Sequence, residues 1–268
     1  MGRRRRWCGH RSRRRVVKRL LLVRHGESHW NVEGRIQGQL CSGLSDRGRA
    51  QAEALATEYS DELRALLDAD PQAVRVVTSD LQRARQTAAP LAAALGLDAT
   101  PDARLRERAF GRWEGRSHAE LAAEEPERWQ RWTAGADVMR EIGAETAAEL
   151  AARVAPALLA WHDAVPAGGC CVVVSHGGSI WHGLHRLLSL PPRSLGPVGN
   201  AAVAELLLLT SDDTSRLAPP VRAGAAAAAH GDVRPVLASF NGVGHLPAEL
   251  RSGGFARAGG SDAVPQMR

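Results

Sequence analysis

Two stretches of the chain place a histidine in the same setting. "LLLVRHGES" (residues 20–28) and "CVVVSHGGS" (171–179) each run an apolar segment into a polar residue, a histidine and a glycine. A third apolar run, "AVRVVTSD" (73–80), is followed by "LQRARQTA", which sets Arg83 at the start of a helical pattern. Imidazole is the side chain that stands near neutrality at physiological pH and can act as nucleophile or proton carrier. Guanidinium matches the oxygens of a phosphoryl group two at a time. His25 and His176 with Arg24 and Arg83 therefore compose a set that could hold a phosphoryl group and attack it. Taken alone, a histidine at a strand end is more often solvated or structurally satisfied, and an arginine more often a surface charge. The repeated arrangement is what favours chemistry.

Those side chains can meet only if the segments carrying them end side by side. The runs 19–24, 73–80, 170–178 and 200–210 are short, apolar and bounded by charge, as expected of strands buried on both faces. Between them lie helical patterns. One spans 45–67, with Ser45 as its cap, and one spans 81–96, stopped by Gly96. Others cover about 117–133, 145–164 and 179–190. Residues 27–44 and 103–116 read as polar, Gly-containing loops, 97–104 as a short extended piece, and 234–241 as a last strand. Strands alternating with helices predict an α/β protein, a three-layer α/β/α sandwich with a mostly parallel central sheet. In such a sheet ligands sit beyond the carboxyl ends of the strands. That would bring His25 and His176 together from 151 positions apart. The helix start at Gly177 and Gly178 would offer backbone N–H groups to an anion.

The formal charge of +6 on 268 residues is unevenly spread. Ten of the 35 basic residues fall within the first 19 positions, leaving 25 against 29 acidic ones and a net of −4. The chain is thus expected to comprise a basic, disordered extension (1–18), one domain (19–246) with an alanine-rich, low-complexity insert near 211–232, and a flexible tail (247–268). Nucleic acid is expected to be contacted, if at all, only through the arginine-rich extension. That extension lacks the apolar core of a secretory signal, and no apolar run approaches the ~20 residues of a membrane span. Cys8, Cys41, Cys170 and Cys171 show no paired spacing, which points to a reducing, cytoplasmic setting. A homodimer is compatible with the sequence.

Five motifs in order, "LVRHGESHWN", "GRIQGQLCSGLSDRGRAQA", "SDLQRARQTA", "LRERAFGRWEG" and "VVVSHGG", resemble the histidine phosphatase superfamily in its phosphoglycerate-mutase-like branch. The resemblance covers about residues 19–246. It implies that His25 is the phosphorylated nucleophile and that Arg24, Arg83 and His176 form the phosphate pocket. It further implies hydrogen bonds to the phosphate or its ester from Asn31 and Gln37, substrate contact at Gly38, and an N–H from Gly177. Glu107 matches the family's proton donor; a neighbouring phosphate anion would favour the protonated carboxyl that this role needs. The plainer alternative for Glu107 is a surface ion pair with Arg106 or Arg108. Where relatives commonly carry "QG..D.PLT..G", this chain has Cys41, Gly43 and Ser45, which leaves the substrate contacts of that loop open. The alanine-rich insert also departs from the pattern, whereas "RPVLASFNGVGHL" resembles the family's closing strand.

Other groups are weighed against the same frame. His182 and His185 are helix neighbours without an evident third ligand, so a metal is not expected. His29 and His118 are candidates for the pocket rim. Trp129 and Trp132 suit packing in a cap segment, with an aromatic wall for substrate as the alternative. The implied function is a metal- and cofactor-independent phosphomonoester hydrolase working through phosphohistidine on a small phosphorylated metabolite, a phosphosugar or phosphoglycerate derivative. A phosphoglycerate mutase and an inactive, ligand-binding relative are the alternatives. The compact segment after Glu107, with only two or three helices before the next strand, resembles the phosphatases of the branch more than its mutases.

Overall fold

The computed structural model describes residues 17–40, 42–191, 193–209 and 234–251. The arginine-rich segment, the alanine-rich insert and most of the C-terminal tail lie outside the described residues. Six strands form one sheet: β1 (Arg19–Arg24), β2 (Val74–Thr78), β3 (Thr100–Pro101), β4 (Cys170–Ser175), β5 (Val203–Leu209) and β6 (Arg234–Gly242). Their order is β3-β2-β4-β1-β5-β6. β1, β4, β2 and β3 run parallel, whereas β5 is antiparallel to β1 and β6 to β5.

Each central strand is apolar throughout because both of its faces are covered. Leu20 and Leu22 of β1, with Cys171 and Val173 of β4, pack beneath α6 (Ala147–Asp163) and α7 (Gly177–Leu188). Leu21 and Val23, with Cys170, Val172 and Val174, face α2 (Asp46–Ala69) and α3 (Gln82–Leu95). The period-two alternation of a strand thus feeds two separate cores, and the three layers follow from it. Burying a side chain of this size contributes about 1.5–3 kcal/mol.

Local signals set the helix ends. Ser45 caps α2 by accepting from Gly48 N, and Gly96 ends α3 in a left-handed conformation. Two features differ from the sequence expectation. The loop 27–44 contains a one-turn helix, α1 (His29–Val32), closed by a capping box between Ser28 and Asn31. The stretch 117–133 forms two helices, α4 (His118–Glu124) and α5 (Pro126–Thr133). Pro126 supplies no N–H and pushes Glu125 out of the helical region, to φ −131° and ψ 52°. The carboxylate of Glu125 then collects Arg112, Arg116, Arg128 and the Trp113 indole N–H, and these partners, Arg112 foremost, hold its pKa near 2 against the opposing effect of burial.

Around Trp113 a small separate core assembles from Ile36, Phe110, Leu121, Val138, Met139 and Ile142, with Trp129 and Trp132 against it. The Trp113 and Trp132 rings meet edge to face at 5.4 Å. The two tryptophans are therefore packing residues of a cap segment. Residues 247–251, which the sequence assigns to a flexible tail, lie on α2: Gln51 Nε2 donates to Leu250 O and Arg47 to Arg251 O.

The turn after β1 is pressed against the first turn of α2. A Cβ on Gly48 would lie 1.9 Å from Glu27 O, and one on Gly26 would lie 2.5 Å from Gly48 O. Only glycine lets these backbones cross. Gly48→Ala is accordingly expected to cost about 2 kcal/mol and to lower the Tm by about 5 °C in thermal unfolding. An unchanged Tm would show that the two segments part easily.

Candidate active site

β1 and β4 finish level, with Arg24 opposite Ser175 in the parallel register. His25 N donates to Ser175 O at 2.9 Å, and beyond β2 Ser79 N donates to Val174 O at 2.8 Å. The next residues, His25 and His176, therefore stand side by side with ring centroids 5.2 Å apart. Arg83, in the first turn of α3, donates its Nε–H to His25 Nε2 at 3.2 Å. All four side chains singled out by spacing are buried and gather at one edge of the sheet.

Hydrogen bonds select the state of each imidazole. His25 Nδ1–H donates to its neighbour's carbonyl, Gly26 O, at 2.7 Å, which leaves the lone pair on Nε2. Burial, reinforced by the charges of Arg83 and Arg24, pushes the pKa of His25 well below the usual histidine value. It is a neutral ring whose unprotonated nitrogen accepts from a guanidinium. His176 Nε2 lies 2.9 Å from Ser79 Oγ, while that oxygen already accepts from Leu81 N. Where Ser79 Oγ donates to Nε2, the His176 proton resides on Nδ1, a buried nitrogen without a hydrogen-bond partner in the protein. Burial and the charge of Arg83 hold His176 neutral as well.

The cations are held by carbonyl oxygens. Arg24 donates to Val198 O at 2.5 Å, and burial lowers its pKa to about 10 against the favourable charge of Glu107. Arg83 donates from one terminal nitrogen to Leu40 O and from the other to Gly38 O, at 2.7 and 2.8 Å. Gly38 therefore meets the site through Arg83. Ser28 organises two further polar groups: its hydroxyl donates to Gln37 Oε1 (2.8 Å) and its backbone N–H to Asn31 Oδ1 (3.1 Å). With both amide oxygens engaged, the NH₂ ends of Asn31 and Gln37 are the parts left to address a ligand.

Glu107 comes from a loop, and other residues tie that loop down. Arg153 of α6 donates to the carbonyls of Arg104, Arg106 and Glu107, while its Nε pairs with Glu145 at 2.6 Å. Ser175 Oγ donates to Leu105 O and Ser179 Oγ to Arg106 O. The carboxylate accepts from Gly178 N at 3.0 Å and from Arg108 N at 2.8 Å. A Cβ on Gly178 would lie 2.4 Å from Glu107 Oε1, so glycine is what admits the carboxylate to the helix start. Arg106 is not paired with it, being engaged bidentately with Asp80 at 2.7 and 2.5 Å. Helix α7 begins at Gly177, two residues earlier than its apolar pattern suggests, with His176 as its cap residue. Gly177 lies against Arg24.

The remaining candidates fall elsewhere. His29 is exposed, and His118 packs on Trp129 with ring centroids 5.3 Å apart. His182 Nε2 meets Arg108 at 2.8 Å, and His185 stacks on Trp181 and hydrogen-bonds to its carbonyl. Among the described residues no three His, Cys, Asp or Glu side chains are grouped to hold a metal. The supporting residues Ser79, Arg153 and Asn200 escape a reading of motifs by chemistry. Asn200 donates to His25 O and to Asn31 Oδ1 from the loop before β5. Of the three, only Ser79 carried a signal, as the residue directly after a buried strand.

Comparison with known proteins identifies the family. The model of the histidine phosphatase superfamily (branch 1) matches residues 20–217. A glucosyl-3-phosphoglycerate phosphatase of Mycobacterium tuberculosis is 36% identical over 200 residues, covering 71% of this chain and 85% of that protein. A probable phosphoglycerate mutase of Citrobacter koseri is 39% identical over 171 residues, 63% of this chain and 74% of that one. The structure of a mycobacterial glucosyl-3-phosphoglycerate phosphatase in complex with VO3 superposes with a TM-score of 0.66 at 32% identity, covering 84% of this chain and 99% of the other.

If Ser79 fixes the His176 proton on Nδ1, Ser79→Ala should lower kcat/KM for phosphate esters about tenfold, the effect of one lost buried hydrogen bond. Ser79→Thr, which keeps the hydroxyl, should recover most of it. Steady-state kinetics on both variants decide the point, and equal rates in Ser79→Ala and the parent would remove the role.

Proposed function

Because the chain belongs to the histidine phosphatase superfamily, branch 1, we propose that it is a metal-independent phosphomonoester hydrolase in which His25 becomes phosphorylated. The observation that carries the reading is the neutral, buried His25, whose proton sits on Nδ1 and whose Nε2 faces Arg83. A nucleophile must keep its lone pair, and this one does so beside two cations that would hold the phosphoryl oxygens.

In the first step the Nε2 lone pair forms a bond to phosphorus as the P–O ester bond breaks in line. Arg24, Arg83, the Nδ1–H of His176 and the NH₂ groups of Asn31 and Gln37 hold the three non-bridging oxygens. Glu107 gives its proton to the departing oxygen, which leaves as an alcohol. In the second step the Glu107 carboxylate takes a proton from water. The resulting hydroxide oxygen bonds to phosphorus, the P–N bond breaks, and phosphate leaves with the electron pair returned to Nε2. The guanidiniums supply the positive charge that a metal supplies in other phosphatases. Gly177 and the start of α7 add helix N-terminal polarity on the phosphate side.

The substrate we assign is a small phosphorylated metabolite of the phosphosugar or phosphoglycerate kind. The mycobacterial phosphatases support this, being similar over most of both chains. The mutase-named relative has similar identity over a shorter stretch; the short cap helices α4 and α5 favour hydrolysis, which needs water to reach the phosphoenzyme. A cytoplasmic setting suits the buried free thiols of Cys170 and Cys171.

Rapid quenching with a phosphate ester should trap an acid-labile, alkali-stable phosphoryl group on His25, with turnover indifferent to EDTA. His25→Ala should lose both adduct and turnover, and a normal rate in that variant would refute the mechanism. Glu107→Gln should slow alkyl phosphates about 10²–10⁴-fold while sparing aryl phosphates, whose leaving groups need no proton. Equal losses on the two classes would remove Glu107 as the acid.

A further inference from the structure

The loop that receives Arg83 is tied to the cap segment at a single carboxylate. The Gly38–Gln39 peptide offers its C=O to one terminal nitrogen of Arg83 at 2.8 Å, and its N–H donates to Glu114 Oε1 at 3.0 Å. One peptide group thus stands between a buried guanidinium and an acidic side chain. A peptide whose N–H rests on an anion is a stronger acceptor at its oxygen, and its plane is fixed from both ends. The Leu40 carbonyl, two residues on, takes the other terminal nitrogen of Arg83 at 2.7 Å.

Both sides of this contact are built for it. Glu114 follows Trp113, which is fully buried in the cap core, and its own N–H donates to Gly111 O at 3.1 Å. The next N–H, of Gly115, donates to Ile36 O at 2.8 Å, so the backbone on either side of the acid is held. The same Oε1 also accepts from Phe110 N at 2.8 Å. On the loop side, Gly38 has a left-handed φ of +52°, and a Cβ there would lie 2.1 Å from Glu114 Oε1 and 2.5 Å from its Cδ. Glycine at 38 is what lets the carboxylate reach the peptide that faces Arg83.

We propose that Glu114 is a positioning residue for Arg83, acting from the cap segment through the Gly38–Gln39 peptide. By fixing that peptide it sets the fork of the guanidinium, whose Nε meets His25 Nε2 at 3.2 Å. The inference rests on the hydrolase reading, in which Arg83 holds the phosphoryl group, and adds to it a residue outside the pocket. It also gives the cap segment a part in catalysis, since the chain that packs Trp113 carries the acid that aims Arg83.

The test is a double-mutant cycle read as kcat/KM on 4-nitrophenyl phosphate, whose leaving group needs no proton and so reports the phosphoryl side. Glu114→Ala should lower kcat/KM about tenfold. Glu114→Gln, isosteric and still an acceptor but uncharged, should lower it about threefold. Lysine at position 83 keeps a charge but cannot span both carbonyls, so it lacks the geometry that Glu114 maintains. In the Arg83→Lys background the loss from either Glu114 variant should therefore fall below about twofold. A general loosening of the fold would instead cost the same in both backgrounds, and that result overturns the proposal. Parent rates in both Glu114 variants overturn it too, and the Gln variants decide alone if Glu114→Ala does not fold. Arg83→Lys at the parent rate refutes the fork geometry and the role of Glu114 with it. No turnover of this ester by the parent protein refutes the hydrolase reading itself.

Discussion

The site depends on burying positive charge at one edge of the sheet. Arg24 and Arg83 are nearly excluded from solvent, at 7% and 1% exposure. Carbonyl oxygens of Val198, Gly38 and Leu40 receive their donors. Their field, added to burial, keeps His25 and His176 neutral. Much of the surrounding backbone is shaped by this need. The loop 37–40 must turn its carbonyls toward α3, and the loop 198–202 must reach the end of β1.

The second of those loops is delivered by the reversal of strand direction in the sheet. Because β5 is antiparallel to β1, with Val203 opposite Val23, it starts where β1 ends. Its preceding loop thereby brings Val198 to Arg24 and Asn200 to His25 and Asn31. A parallel strand in that position would have sent the loop to the far edge of the sheet.

Glu107 poses a different problem, because no strand or helix carries it. Its loop is secured at three consecutive carbonyls, those of Leu105, Arg106 and Glu107, by Ser175, Ser179 and Arg153. Gln39 holds the same loop, donating to Glu107 O and accepting from Arg106. As the proposed proton donor, Glu107 must remain within hydrogen-bonding reach of the leaving oxygen. These anchors do for a loop what the sheet does for the histidines.

The sequence by itself determined the strands, most of the helices and the identity of the four central side chains. Those signals are local: a strand buried on both faces leaves an unbroken apolar run, and a cap or a left-handed glycine marks a helix end within a few residues. The break at Pro126 is masked by helical spacing on both sides, and α1 is too short to show a period. Only the tertiary structure decided the reversed direction of β5 and β6, the level ending of β1 and β4, and the carbonyls that receive Arg24 and Arg83. It also assigned Arg153 to the Glu107 loop and Ser79 to Nε2 of His176. These contacts join residues from 43 to 174 positions apart. Apart from the Ser79–His176 pair, their partners are backbone oxygens, which every residue carries, so no side-chain pattern could announce them.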